Sequence, residues 1–363
     1  MLTPRAWLFA LVLTSAAPFA ASAATAAPTE AALGILIPLG PPEYEPILSA
    51  IENDHVERHG PFTYHVGRIA GVPVVANVAP MDGPVTRALS AQDMLQHYTI
   101  RALLYPGTSG AHLGPDRMRI GDIVLGAANV DFGNFFFSRD GDIVGNEFGH
   151  EKTGQTHPGT LWMAPMPLAH LACAAHAVAA QTERPSWLNP HAPRLTPDRP
   201  DIFYFGRQGT STMWLANQPF IRKIDDVFHV IDEDGDWDSA LVASMHGVAF
   251  IEVSTISDSA PALPETPRGI PVPPPGAPSA NVLAQRQSDA IIVALIRRSG
   301  QALLSETGGT LRTSPWPDAY FDDPKAAASA AVPRWLRPGI ACAEGRQPLE
   351  RRPIHTDRIA RSG

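Results

Sequence analysis

Three apolar runs constrain this 363-residue chain more than any other feature: Ala31 to Leu39, Arg101 to Tyr105 and Phe250 to Thr255. Each has the length of a strand, and each breaks off into Gly, Pro, Ser or Asp. Short apolar runs bounded by turn residues suit strands buried inside a sheet. Helical apolar spacing fills the intervals, at Val85 to Tyr98, Pro167 to Ala180, Asn217 to Lys223, Trp237 to His246 and Asn281 to Leu304. Strands alternating with helices predict an α/β fold, a three-layer αβα sandwich. In open α/β sheets, ligands bind where the carboxyl ends of strands converge. The polar ends after Leu39, Tyr105 and Thr255 are therefore candidate walls of one pocket.

Weaker signals complete the outline. Glu43 to Asn53 is expected to form a short helix, and Phe62 to Ala79 a hairpin turning at Ala70-Gly71. Ile120 to Leu125, Asp201 to Phe205 and Val227 to Ile231 read as further strands. Asp131 to Gly159 is irregular and aromatic, Pro185 to Pro200 a loop, and Pro261 to Pro278 a Pro-rich excursion. The expected organisation is a leader at 1–23, a domain at 32–304 and a loop-like, Arg-rich tail at 305–363.

The leader has the grammar of a secretory signal: Arg5, an apolar stretch from Ala6 to Ala17, then Ala21-Ser22-Ala23 as a cleavage site. The protein is expected to be exported, periplasmic or secreted, and to start near Ala24. The apolar stretch is too short and Ala-rich for a good membrane span, so no stable insertion is expected after cleavage. The formal net charge is -8, with no Lys/Arg run. That argues against nucleic-acid binding, which needs a basic stripe. Export permits a disulfide, and Cys173 and Cys342 allow one pairing. A buried free thiol at Cys173 is the competing reading. Two cysteines are too sparse for a zinc site.

The strand that ends in Ile256-Ser257-Asp258 delivers an acid to the edge of a sheet. Partial desolvation raises a carboxyl pKa and suits it to general-acid work near neutral pH. The plain alternative is a cap on the next turn. Pro106-Gly107-Thr108-Ser109-Gly110 lacks the lysine of a triphosphate loop and reads as a turn, or as backbone open to a ligand. Asp232 to Asp238 has the phase of a calcium loop, but Trp237 stands where that loop needs Gly. No H-E-x-x-H and no G-x-S-x-G occurs. Separated carboxylates remain: Glu43 or Glu45, Asp238 and Asp258. Such sets suit cleavage of a glycosidic bond, one acid protonating the leaving group and another activating water.

An ordered series of motifs runs along the chain. Gly34-Ile35-Leu36-Ile37 is followed by Glu43; Met81-Asp82-Gly83 precedes a helix; then come Gly107-Thr108-Ser109-Gly110, Ile120-Gly121-Asp122-Ile123-Val124, Asp236-Trp237-Asp238-Ser239-Ala240 and Ile256-Ser257-Asp258. In this order they resemble the nucleoside phosphorylase superfamily, in particular its methylthioadenosine/S-adenosylhomocysteine nucleosidase branch, over about Ala32 to Leu304. The exported form is also similar to the vegetative storage proteins that share that fold. The resemblance implies a phosphorylase/hydrolase-like sandwich with a mixed central sheet and a small-molecule nucleoside as ligand. It implies no metal or organic cofactor and is compatible with a homodimer.

The resemblance also implies roles. Asp258 would protonate N7 of the departing purine, with Ser257 holding its geometry. Glu43 would activate the attacking water, or Glu45 if the register slips. Asp238 would bind the ribose hydroxyls and Trp237 would pack on the sugar. Thr108, Ser109 and Gly110 would line ribose and base. Ser211 to Leu215 sits where the family has S-G-D-x-F, so Trp214 or Leu215 would cover the base. Phosphorolysis needs a phosphate site, usually with Arg. None stands near Glu43 or in the Gly107 turn, and Arg87 lies inside a helix. The expected reaction is therefore hydrolysis of a purine nucleoside, with a purine nucleoside phosphorylase as the alternative enzyme. Asp238 is one methylene shorter than the family's Glu, Pro41-Pro42 alters the turn that aims Glu43, and the Pro-rich excursion replaces a closing segment. These departures favour a second class: an exported nucleoside-binding, permease-like or storage protein without turnover.

Overall fold

The computed structural model of the chain describes residues 30–38, 44–81, 83–145, 159–192, 194–305, 308–322, 333, 336 and 342. The leader at 1–23, the expected start at Ala24, Pro41-Pro42 and Glu43 lie outside the described residues. In chain order the elements are β1 (Ala32–Ile37), α1 (Glu45–Leu48), β2 (Glu52–His59), β3 (Phe62–Ile69), β4 (Val72–Val78), α2 (Pro84–His97), β5 (Ile100–Ala111), β6 (Ile123–Leu125), β7 (Ala128–Asp131), β8 (Phe135–Phe137), β9 (Ile143–Gly145) and β10 (Leu161–Trp162). They continue as α3 (Pro165–Ala179), β11 (Ile202–Phe203), β12 (Arg207–Thr210), α4 (Gln218–Phe228), β13 (Asp232–Glu233), α5 (Trp237–His246), β14 (Ala249–Asp258), α6 (Ala280–Ser305) and α7 (Ala319–Asp322).

Among the described residues, twelve strands form one mixed sheet. β1 runs parallel between β4 and β5, and β14 runs parallel on the other side of β5. β3 and β2 extend the sheet antiparallel beyond β4. β1 is buried along its whole length, and its alternate residues sort into two cores. Leu33, Ile35 and Ile37 pack in a core with Leu168 and Leu171 of α3 and with Ile292, Leu295 and Ile296 of α6. Ala32 and Leu36 belong to the other, with Ala91 and Met94 of α2 and Ala240 and Ala243 of α5. Two helical layers on one mixed sheet are the αβα sandwich anticipated from the sequence.

Local chemistry explains the helix starts. Prolines occupy the first turns of α2, α3 and α4, where their missing N–H costs no hydrogen bond. Asp236 caps α5 by accepting from the Ser239 N–H at 3.1 Å, and Gly247 ends that helix with φ 67°.

The structure corrects three expectations and adds a strand. Gly107 to Gly110 is not a turn: it is the far half of β5, paired with β14 through Ser254↔Gly107 and Asp258↔Gly110. The helix expected over Glu43 to Asn53 is a single turn, and Glu52–His59 is instead the outer strand of the sheet. Its polar, largely exposed residues hide it from an apolar pattern. The strand expected at Val227 to Ile231 gives way to a longer α4, which reaches Phe228, with β13 following at Asp232–Glu233. β12, Arg-Gln-Gly-Thr, is a strand that carries no apolar signal in the sequence. Of the two cysteine readings, the structure has the disulfide: Cys173 of α3 is bonded to Cys342, with Cα atoms 5.1 Å apart.

Two features position the site. β1 stops at Ile37 while β5 continues to Ala111, and β13 takes the vacated edge antiparallel, Glu233 opposite Gly110. On its other side α6 ties down the middle of β5. Gln285 donates to the Pro106 carbonyl at 2.9 Å, and Ser288 donates to that of Gly107 at 2.8 Å.

Candidate active site

A cavity of about 340 Å³ opens at the carboxyl ends of β5 and β14. Thr108, Ser109 and Gly110 form its floor, Ser257 and Asp258 one wall, and Glu233 and Asp234 another. Trp214, from the segment after β12, and Arg268, from the Pro-rich excursion, also line it. The Arg268 guanidinium stacks on the Trp214 ring, 5.0 Å from its centroid.

Asp258 stands at the cavity wall with its carboxyl group oriented and largely buried. The Ser257 hydroxyl donates to Oδ2 at 2.7 Å, which orients the carboxyl group. Oδ1 leans over Gly110: a Cβ there would lie only 2.6 Å from it, so glycine keeps that space open. Burial is the main reason that the Asp258 carboxyl is pushed up to about 6; the Glu233 charge adds to it, while Ser257, Arg268 and His112 oppose it.

The opposite wall carries its own network. Glu233 accepts from the Leu215 N–H on both carboxylate oxygens at 3.1 Å. His112, buried just beyond β5, faces Glu233 at 3.7 Å and Asp225 at 2.7 Å. Burial pulls the His112 imidazole down, but the two carboxylates prevail and it rises to about 10, so it is a buried imidazolium at neutral pH. Asp234 accepts from buried Arg87 at 2.8 Å. Arg87 also donates to the Tyr105 hydroxyl and the Gly235 carbonyl, both at 3.0 Å.

Of the residues singled out in the sequence, Thr108, Ser109, Gly110, Trp214, Ser257 and Asp258 line the cavity together. The remainder lie elsewhere. Glu45 is exposed on α1. Ser211 closes its own turn, donating to the Met213 carbonyl at 3.0 Å. Leu215 contributes its backbone N–H to Glu233, while its side chain packs in a small core with Phe132 and Ile224. Trp237 bonds the Gly159 carbonyl through its indole N–H and packs on the α2–α5 side of the sheet. Asp238, in the first turn of α5, is not among the lining residues. Burial and the Asp236 charge push its carboxyl up to about 6, with Arg87 opposing.

Glu233, Asp234 and Arg268 carry no signal that sequence reading picks out. The first two sit in the acidic run with the phase of a calcium loop. That run is divided between β13, a turn with φ 78° at Asp234, and the cap of α5. Arg268 corrects one argument outright: an arginine does stand at the site.

The model of the phosphorylase superfamily matches residues 32–188. No curated protein matches the chain by sequence. Among solved structures, the chain is similar to the 5′-methylthioadenosine/S-adenosylhomocysteine nucleosidase of Neisseria meningitidis, with 14% identity and a TM-score of 0.53 over 73% of this chain and 98% of that one. The S-adenosylhomocysteine nucleosidase of Streptococcus pyogenes is similar at 18% identity and a TM-score of 0.54, over 74% of this chain and 97% of that one. The futalosine hydrolase of Helicobacter pylori is similar at 14% identity and a TM-score of 0.51, over 73% and 96%. At such identities the likeness is one of fold.

Proposed function

We propose that this chain, whose residues 32–188 match the model of the phosphorylase superfamily, hydrolyses the N-glycosidic bond of a purine nucleoside, in the manner of the methylthioadenosine/S-adenosylhomocysteine nucleosidase branch. The observation that carries this reading is Asp258: a carboxyl group pushed up to about 6, oriented by Ser257 and open to a cavity through Oδ1. A group with that proton affinity is protonated in a useful fraction near neutral pH and still donates readily. Asp258 gives its proton to N7 of the purine. The C1′–N9 bond breaks with its electron pair going to the base, and water adds to C1′. Glu43 is the proposed acceptor of the water proton. Trp214 and Arg268 cover the base, and Thr108 to Gly110 form the floor beneath it.

Water is favoured over phosphate by the similar structures, which are described as nucleosidases and a hydrolase. Arg268 at the cavity leaves phosphorolysis as the reading to test against. The purified protein, incubated with a panel of purine nucleosides with and without phosphate, is expected to release free base and ribose, or a 5′-modified ribose, without phosphate. Ribose 1-phosphate as product would make it a phosphorylase. Binding without product would make it the binding or storage protein. Neither binding nor turnover would sink the reading.

We also propose that the protein works outside the cytoplasm. The leader supports this, as does the Cys173–Cys342 bond, since disulfides persist in oxidising compartments. Mass spectrometry of the native protein is expected to show a start near Ala24; an intact Met1 would contradict it.

A further inference from the structure

Glu233, Gly110 and Asp258 stand in one row across three neighbouring strands. Glu233 of β13 is opposite Gly110 of β5, and Gly110 is opposite Asp258 of β14. Both acids lean into the space above the glycine. A Cβ at Gly110 would lie 2.6 Å from Asp258 Oδ1 and 3.1 Å from Glu233 Oε1. The two carboxyl groups therefore face each other across a notch that only glycine leaves open. They differ in how they are held. Glu233 is anchored by the Leu215 N–H and by the buried His112 imidazolium, itself tied to Asp225. Among the described residues, Asp258 accepts from the Ser257 hydroxyl alone, on Oδ2, and its other oxygen faces the cavity. One acid is thus tied down by its neighbours, and the other has an oxygen turned to the cavity.

We propose that Glu233 is a positioning residue for the acid: a negative charge across the Gly110 notch that keeps the proton on Asp258 until it passes to the departing base. The role given to the base rests on the nucleosidase reading; the coupling between the two carboxyl groups does not. Two carboxyl groups at close range do not ionise together easily, so the anchored one retains the proton of the other. The other groups that face Asp258 are Arg268 from the excursion and His112 beyond β5, and both act in the opposite direction. Glu233 offsets them. Without it, two cations would face the acid unopposed, and Asp258 would lose its proton at a lower pH.

The test follows the Asp258 carboxyl carbon by NMR through a pH titration of the whole protein without nucleoside. In the wild type, Asp258 is expected to titrate well above an ordinary aspartate. In Glu233→Gln, which keeps an acceptor for the Leu215 N–H but removes the charge, the midpoint should fall by roughly one pH unit. Glu233→Asp keeps the charge and should bring the midpoint most of the way back, which a merely structural role would not do. The alkaline limb of kcat/KM should move down in step in Glu233→Gln. A wild-type Asp258 that titrates in the ordinary range would overturn the proposal without any variant. An unchanged midpoint in a folded Glu233→Gln would overturn it too. The titration needs no turnover, so a protein that cleaves no nucleoside would sink the nucleosidase reading and leave this coupling to stand or fall on its own.

Discussion

Asp258→Asn is expected to lower base release by about 10²–10⁴-fold while leaving nucleoside binding largely intact. The amide has the shape of the acid, and its oxygen can still accept from Ser257 as Oδ2 does at 2.7 Å. What it lacks is a proton to give. The departing purine must then leave as an anion, and the barrier rises by the loss of acid catalysis. Calorimetry with a nucleoside separates this from a binding defect, because the floor at Thr108 to Gly110 and the cover at Trp214 are untouched. Near-normal turnover in Asp258→Asn would remove Asp258 as the acid. Loss of binding together with turnover would make it a ligand-holding group.

Asp258 is legible in the sequence because two simple signals coincide there: a buried strand, and an acid at its carboxyl end. The same logic finds α5, whose capping Asp236 and terminal Gly247 bracket it residue for residue. It fails where the chemistry arises from pairing rather than from pattern. Glu233 sits in a two-residue strand within an acidic run, and nothing local marks it. Its meaning comes from lying opposite Gly110, a partner more than a hundred residues away. In sequence, β5 reads as ending at Tyr105 because Pro and Gly weaken isolated strands. Pairing along β14, with β13 at the end, overrides that local preference. Arg268 reaches the cavity from a backbone at φ 60°, a conformation that an arginine does not advertise in sequence.

The second large effect lies behind the site and concerns stability. Asp289→Asn is expected to abolish much of a pH dependence that runs opposite to the usual acid denaturation. Asp289 is fully buried on α6; Gln285 donates to its Oδ1 at 2.8 Å, while Oδ2 has no hydrogen-bond partner among the described residues. Burial pushes its carboxyl up to about 8, with Gln285 opposing. The folded-state value lies above the unfolded one, near 4. Its contribution is therefore fully present below about pH 4 and is lost progressively as the pH rises toward 8, where the fold must bury a carboxylate. Asp232, pushed up to about 7 mainly by burial, acts in the same direction. Each pH unit separating the folded and unfolded values is worth about 1.4 kcal/mol, so Asp289 alone corresponds to a few kcal/mol between pH 5 and 8. Asparagine cannot ionise, so urea denaturation should find the variant close to wild type at pH 5 and more stable than it at pH 8. A variant destabilised equally at both values would show that Asp289 is already neutralised or hydrated, and would sink the prediction. The effect bears on the cavity because Gln285 also holds the Pro106 carbonyl and Ser288 that of Gly107. Those two carbonyls fix the strand that continues into Thr108, Ser109 and Gly110. Gln285 donates to Asp289 whether the carboxyl is neutral or ionised, so the floor of the site should keep this support as the pH is raised even while the fold as a whole loses stability.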